Sequence, residues 1–326
     1  MTTTELREAQ NNVEIIGSIK KIELEEKNTK SGRPAIMGTV TVEVKENPER
    51  IHNIKVKVFS FKLKKDGSEN GLYKGYSTVK NEYKPGDRVK VTGSLTINEY
   101  YGQNGNLVSF NEVKAVFFNR LEGEEANIQD RAIATLEMVV KGMETELNQE
   151  GIPTGDMNVD AFTVGYNSSI IPLIDLKVGQ ALAQTFQGMY YAGSTGRITI
   201  KINNYATLME EEVQTQQAGF GAAERVESNV VTNYTNNLEI IGGDLPYTDG
   251  VNNYSPQQIE DADKIRALAL QQLQQNASAP ATPQHTGFGN TTIDENKQKE
   301  INDAVDKMTN AFAGNTSQST NNIPSF

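Results

Sequence analysis

Cysteine and tryptophan are absent from this chain of 326 residues, and histidine occurs only twice. Without cysteine there is no disulfide, no thiolate metal site, no iron–sulfur cluster and no thiol nucleophile. A chain without disulfides is typical of the cytoplasm, which is the compartment that we expect. With His52 in a predicted strand and His285 in a polar tail, neither a histidine-based triad nor a multi-histidine metal site can be assembled.

Long apolar runs are lacking as well. No window approaches the roughly 18 apolar residues of a membrane span, and the N-terminus lacks the basic-then-apolar order of a secretory signal. There is no Walker A sequence, and residues 219–224 fall one glycine short of a dinucleotide fingerprint. The acidic run 210–212 suits a solvated surface better than a Mg²⁺ site. We therefore predict a protein that is not an enzyme and that uses no cofactor or metal.

The net charge of −11 is unevenly distributed along the chain. Residues 1–120 carry 20 basic against 15 acidic side chains, whereas residues 121–326 carry 11 basic against 27 acidic ones. A basic front with an acidic remainder is typical of a nucleic-acid-binding domain followed by a region that discourages stray contacts and recruits partners. Chance fluctuation in charge produces the same pattern, so both explanations stay open.

The first 120 residues have the period-two alternation of β-strands. It predicts five strands, at about 13–24, 36–45, 52–62, 87–99 and 107–118. Residues 72–83 fall between the third and fourth strands, where an OB barrel has its helix or a long connection. The pattern therefore predicts an OB fold for residues 1–120.

The remainder of the chain shows mixed patterns. Apolar residues between 128 and 147 follow a helical spacing, β-like stretches resume at about 159–165, 170–176, 181–191, 197–208 and 226–241, and Ser255 opens a capping box for a further helix. Tyr-Tyr pairs before glycine-rich residues, at 100–101 and 190–191, suggest a diverged repeat, although chance similarity is an equal alternative. The predicted fold class is mainly β, with an OB-fold barrel followed by a second OB-like domain, accessory helices and a disordered tail. The predicted boundaries are 1–120 for the first barrel, 121–154 for a connecting helix and linker, 155–275 for the second β domain with its bracing helix, and 276–326 for the tail.

The third predicted strand carries the clearest functional pattern. If Ile54, Val56 and Val58 face the core, the opposite face of the strand presents two cations and two aromatic rings, namely Lys55, Lys57, Phe59 and Phe61. Single-stranded nucleic acid is held by a positive groove that follows the phosphates and by rings on which bases stack. The alternative is a half-buried sheet in which both phenylalanines contact another element.

Other candidate binding residues surround this strand. Arg88 and Lys90 point outward on the fourth strand, and Tyr100 and Tyr101 begin the hairpin before the fifth, one of the loops with which OB folds hold oligonucleotides. Four further cations lie in glycine-punctuated connections as candidate phosphate contacts, although plain solvation is equally expected; they are Arg33, Lys62, Lys64 and Lys74.

Residues 86–95, of sequence Gly-Asp-Arg-Val-Lys-Val-Thr-Gly-Ser-Leu, followed by Tyr100, Gly105 and a last strand, resemble bacterial single-stranded DNA-binding proteins. The resemblance implies that the hairpin and the exposed sheet face bind DNA, and that the tail tip recruits replication and repair enzymes. The family's tip is acidic. Ile323, Pro324 and Phe326 are similar to it, but asparagines stand where the family has acidic residues, and Ser325 is inserted between Pro324 and Phe326. The length and the second domain look more like a bacteriophage version, which would work in the cytoplasm of a bacterial host.

These observations predict a protein that binds and protects single-stranded DNA without sequence preference during DNA replication, recombination or repair. Its partners would be single-stranded DNA and, through the tail, replication or recombination proteins. We expect no binding to a membrane. Two alternatives stay open: a structural, scaffold or virion-associated β protein without a nucleic-acid role, and an RNA-binding OB protein.

Overall fold

The computed structural model describes residues 6–102, 104–213 and 227–278, with the side chains of 208–213, 227–231 and 276–278 left out of the description. Its first half contains five strands and one helix between the third and the fourth. Their bounds are β1 Asn11–Asn28, β2 Pro34–Lys45, β3 Ile51–Phe61, α1 Gly71–Glu82, β4 Arg88–Tyr101 and β5 Leu107–Arg120. All five predicted strands and the predicted interruption between the third and fourth are confirmed.

These strands close into a barrel. β1 pairs antiparallel with both β2 and β4, β2 pairs with β3, β3 runs parallel to β5, and β5 pairs with β4. Five strands in this order, with a helix between the third and fourth, form an OB fold. β1 and β2 approach each other closely at Gly38, where a Cβ would lie 1.9 Å from the carbonyl oxygen of Glu23, so only glycine fits.

The second half repeats the same topology. Its elements are β6 Arg131–Leu147, β7 Pro153–Val164, β8 Ile170–Pro172, β9 Leu176–Val178, α2 Gln180–Met189, β10 Thr195–Val213 and β11 Glu227–Gly243. β6 pairs with β7 and β10, β7 with β9, β9 runs parallel to β11, and β11 pairs with β10. With β6, β7, β9, β10 and β11 in the places of β1 to β5, this is a second OB barrel, as the predicted fold class requires.

The helix predicted within residues 121–154 is wrong, because residues 131–147 form strand β6 and begin the second barrel. The side chains of Ala132, Leu136 and Val140 are buried, but so are Ala134 and Met138 between them. A spacing of four residues fits both a helical turn and two steps of a strand, and the small alanines hid the period of two.

The opposite error affects residues 181–191, which were predicted as β-like and instead form α2. Alanine, leucine, glutamine and methionine favour helix, and the buried side chains Ala183, Phe186 and Tyr190 follow a helical spacing. Tyr190 therefore follows a helix, whereas Tyr100 lies in strand β4. The two Tyr-Tyr pairs are not equivalent, although the barrels that contain them are.

The two barrels are joined through their first strands. Asn11–Ile16 of β1 pairs antiparallel with Leu136–Arg131 of β6, and buried apolar side chains form one continuous cluster through both barrels. The predicted bracing helix is confirmed as α3, Pro256–Ser278. Ser255 and Gln258 form the predicted capping box, since each donates its backbone N–H to the side chain of the other, at 2.9 and 3.3 Å.

Helix α3 spans both barrels. Lys141 of β6 donates to Asp263 at 2.8 Å, and Arg266 binds the carboxylate of Glu99 on β4. No helix in the described ranges is long and apolar enough to cross a membrane. Residues 276–278, with which the predicted tail begins, are the end of α3, and the remainder, with Ile323, Pro324 and Phe326 at its end, lies outside the described residues.

Candidate nucleic-acid interface

The outer face of β3 is built as its alternation predicts. Ile54, Val56 and Val58 are buried in the first barrel, so Lys55, Lys57, Phe59 and Phe61 project to the other side. Both lysines and Phe59 are exposed, and Phe61 is half-buried. The strand thus carries a row of two cations and two rings, which we call the β3 face.

Phe59 and Phe61 form an aromatic pair at one end of this row. Their rings meet edge to face with centroids 5.1 Å apart. The guanidinium of Arg33, from the hairpin between β1 and β2, lies 3.9 Å above the centre of the Phe61 ring and donates to the carbonyl of Leu63 at 3.3 Å. Phe61 is covered by this cation, whereas 40% of Phe59 stays exposed, so Phe59 can accept a stacked base.

The cations around the β3 face differ in how they are engaged. Lys57 lies 3.8 Å from the carboxylate of Glu112 on β5, whereas Lys55, Lys62 and Lys64 form no ion pair with any described residue. Lys62 and Lys64 follow directly after β3, and the backbone N–H of Lys62 donates to Pro34 beside Arg33 at 2.9 Å. Arg33 and the backbone of Lys62 are thus held beside one another at the end of the β3 face.

Arg88 and Lys90 do not share this surface, which corrects the prediction that the fourth strand continues it. Arg88 binds Asp130 and donates to the carbonyl oxygens of Ala126 at 3.2 Å and Ile128 at 2.7 Å. These contacts hold the segment between the barrels. Because β5 lies between β3 and β4 in the sheet, an outward residue on β4 is not a neighbour of the β3 face.

Lys90 has a similar structural role. It pairs with Glu14 on β1, and Arg131 donates to the same carboxylate at 2.7 Å. Burial alone would raise the pKa of Glu14, but the hydrogen bonds from Lys90 and Arg131 lower it below its ordinary value. The charge of Lys90 is therefore engaged at the joint between β1 and β6.

The remaining predicted residues lie at the edges of the first barrel. Tyr100 and Tyr101 end β4 at the hairpin to β5, and 40% of Tyr100 is exposed. Neighbouring residues of a strand point to opposite faces, so only one of these rings can belong to a given surface. Lys74 is exposed on α1, and no described contact connects it with the aromatic pair.

A groove between the barrels continues from the β3 face, and the sequence analysis missed it. Its volume is about 540 Å³. The first barrel contributes Asn53, Lys55, Lys57, Phe110 and Glu112, and the second contributes Ile174, Asp175, Asn204, Asn236 and Asn237. The only available signal was the repeated Asn-Asn dipeptides at 203–204 and 236–237, which pair across β10 and β11.

One end of the groove is held by His52. Its Nδ1 accepts the backbone N–H of Asn204 at 3.2 Å, and its Nε2 lies 3.1 Å from Glu46, which also binds Lys201 at 2.8 Å. Burial lowers the pKa of His52, and the nearby Glu46 only partly opposes this. A neutral ring that accepts at Nδ1 and donates at Nε2 fits these contacts, so His52 joins the β2–β3 hairpin to β10.

Asn111 of β5 holds the other end. Its side-chain Nδ2 donates to the carbonyl of Pro172 at 2.8 Å, and its Oδ1 accepts the backbone N–H of Ile174 at 2.7 Å. The walls of the groove are therefore attached to one another on both sides. No cluster of potential metal ligands occurs in the part of the chain that the structure describes.

The sequence model of a family described as YorF matches residues 9–276. No curated protein sequence matches the chain. Among solved structures, the wild-type single-stranded DNA-binding protein of Thermus aquaticus is 12% identical with a TM-score of 0.46, over 76% of this chain and 98% of that one. A single-stranded DNA-binding protein of Plasmodium falciparum, in complex with single-stranded DNA, is 15% identical with a TM-score of 0.28, over 36% of this chain and 99% of that one. The mitochondrial single-stranded DNA-binding protein Rim1 of S. cerevisiae is 12% identical with a TM-score of 0.26, over 34% of this chain and 95% of that one.

Proposed function

The chain belongs to the YorF family, and we propose that it binds single-stranded DNA through the β3 face without sequence preference. The observation that carries the proposal is the row of Lys55, Lys57 and Phe59 on one exposed side of an OB barrel. Cations follow the phosphates and an exposed ring stacks on any base, so neither interaction reads the base edges.

The ends of the β3 face support a path for the strand. Arg33 lies over Phe61 next to Phe59, and Lys62 and Lys64 follow directly after β3, so a phosphate beside a base stacked on Phe59 would meet positive charge. The second barrel differs at the matching strand, because β9 has only three residues and its one outward side chain, Lys177, pairs with Glu146. This strand offers no row of cations and rings, so the first barrel is the proposed binding domain.

We propose the wider role on the same basis and on the resemblance described above. The protein would be a non-enzymatic binder that protects exposed strands during replication, recombination or repair in the cytoplasm of a bacterial or phage-infected cell. The tail residues Ile323, Pro324 and Phe326 would contact replication or recombination proteins.

Equilibrium binding of the full-length chain tests this proposal. Fluorescence anisotropy with oligo(dT), a duplex of equal length and an RNA oligomer should show binding to oligo(dT) in preference to the duplex. The association constant should fall steeply with salt through counterion release. Salt-insensitive binding or a preference for duplex would contradict the proposal. Tighter binding to RNA would support the RNA-binding alternative, and no binding to any probe would support a structural role.

A further inference from the structure

We propose that the groove between the barrels receives an unpaired base of the bound strand, with the asparagines of the β10–β11 hairpin contacting the base edge. This inference rests on the proposed function of the β3 face. It gives the second barrel a part in binding that does not require a face like that of β3.

The groove lies directly on the path of a strand that follows β3. Asn53, Lys55 and Lys57 line it, and Phe59 continues the same face of β3 beyond Lys57. Alternate residues of a strand are about 6.6 Å apart, so Phe59 lies about 13 Å from Lys55. A chain that stacks a base on Phe59 and follows the lysines therefore enters the groove.

The opposite wall offers amide groups. Asn204 donates from Nδ2 to the Oδ1 of Asn236 at 3.3 Å, and Asn203 donates to the Oδ1 of Asn237 at 2.9 Å. Within the described part of the chain, the Oδ1 of Asn204 and the Nδ2 of Asn236 make no hydrogen bond. One acceptor and one donor of this amide pair thus remain for a ligand, and a base edge carries groups that complement both.

The charge of the groove favours a base over a phosphate. Lys55 and Lys57 are balanced by Glu112 and Asp175, and one of these pairs, Lys57 with Glu112, is in contact. Glu112 and Asp175 would repel a phosphate placed deep in the groove, whereas Lys55, which forms no ion pair with a described residue, can hold a phosphate at its edge. Phe110 and Ile174 add apolar surface, and apolar walls with a few placed polar groups are typical of sites for small neutral ligands.

The groove is already formed before anything binds. His52 attaches one end through the backbone of Asn204, and Asn111 attaches the other through Pro172 and Ile174. Because these contacts fix the walls, a bound base pays little for ordering the protein. This rigidity separates the groove from a chance gap between mobile domains.

The test uses the full-length chain with the double substitution Asn204→Ala and Asn236→Ala. Its matched control is Asn158→Ala with Asn233→Ala, which removes two exposed asparagines of the same barrel outside the groove. Anisotropy would compare oligo(dT) with an abasic deoxyribose-phosphate strand of the same length. We expect the groove variant to bind oligo(dT) about 5- to 20-fold more weakly, as for the loss of one or two hydrogen bonds, and to bind the abasic strand like the control.

Each other outcome is decisive. Equal losses on both strands would show that the asparagines do not contact bases and would overturn the inference. Unchanged binding by the groove variant, with weaker binding by Phe59→Ala, would overturn the groove and leave the β3 face in place. Failure of the wild-type chain to bind oligo(dT) would overturn both proposals. If urea unfolding shows the double variant to be unstable, Asn236→Ser serves instead, with the same expected contrast between the two strands.

Discussion

Phe59 is the residue on which the proposed interface depends most directly, because it is the exposed ring of the aromatic pair. In Phe59→Ala, the loss of one stacked base should weaken binding to oligo(dT) by about 1 to 3 kcal/mol. Since the ring is not part of the core, the urea midpoint should hardly change. Anisotropy and urea unfolding of the full-length variant measure the two effects.

The control for this prediction is Tyr191→Ala, which removes a ring that is 66% exposed on the second barrel. It should bind oligo(dT) like the wild type. A loss in Phe59→Ala that merely follows unfolding, or an equal loss in Tyr191→Ala, would place the stacking surface elsewhere.

Two cations that look alike in the sequence should behave differently. Lys55→Ala should weaken binding, reduce the salt slope by about one and leave stability unchanged, as for the loss of one phosphate contact. Arg88→Ala should mainly lower the free energy of unfolding, by about 1 to 3 kcal/mol, because Asp130 loses its ion pair and two carbonyl groups lose their donor. Urea unfolding and salt titrations separate the two results, and a stable Arg88→Ala protein with weak binding would contradict this assignment.

At the scale of elements, the β2–β3 hairpin is attached to β10 by a junction that depends on pH. His52 faces Glu46 and Arg50 from its own hairpin and Lys201 from β10, and it accepts the N–H of Asn204. Protonation at Nδ1 would break that hydrogen bond and place a cation beside Lys201 and Arg50. Burial holds the pKa of His52 below its ordinary value in the folded protein.

The direction of the pH effect follows from this lowered pKa. Between the folded pKa and the unfolded value of about 6.5, the unfolded chain binds more protons, so stability is complete above that window and falls as the pH decreases through it. Urea unfolding between pH 7.5 and pH 5 should therefore show a declining midpoint. His52→Gln should flatten this dependence, whereas His285→Gln should retain it. A midpoint that rises on acidification would contradict the assignment.

Prediction from sequence succeeded where the period of a pattern was unambiguous. The alternation in β3 and the capping box at Ser255 both predicted what the structure contains. It failed at β6 and α2. Apolar residues four positions apart occur in both helices and strands, and alanines at the positions between them do not tell the two apart. The groove and the junction at His52 were out of reach for another reason. They form only where two barrels meet, and a single sequence does not show which strands of separate domains come together.

At the scale of the whole molecule, the barrels are not independent modules. β1 pairs with β6, and α3 is joined to both β4 and β6. A fragment of residues 1–120 would lose the strand that pairs with Asn11–Ile16 and the partner of Glu99. The domain boundaries remain a prediction from the sequence. Because contacts cross the boundary at residue 120, binding should be measured on the full-length chain.

Removal of residues 279–326, which begin after the end of α3, should leave affinity for oligo(dT) equal or slightly higher. This segment carries five acidic and three basic side chains, so its competition with DNA for the β3 face should be weak. Pull-down from growing or infected cells should lose replication or recombination proteins when these residues are missing. Identical partners for both chains would show that the segment only adds solubility.

The central claim, that the β3 face holds the strand, is tested most directly by ultraviolet cross-linking of oligo(dT) to the full-length protein. Mass spectrometry of the digested complex would locate each adduct. Because stacked rings lie against thymine, we predict adducts in the peptide that contains Phe59 and Phe61, reduced in Phe59→Ala and retained in Tyr191→Ala. Adducts confined to the second barrel, or none at saturating oligo(dT), would contradict the account.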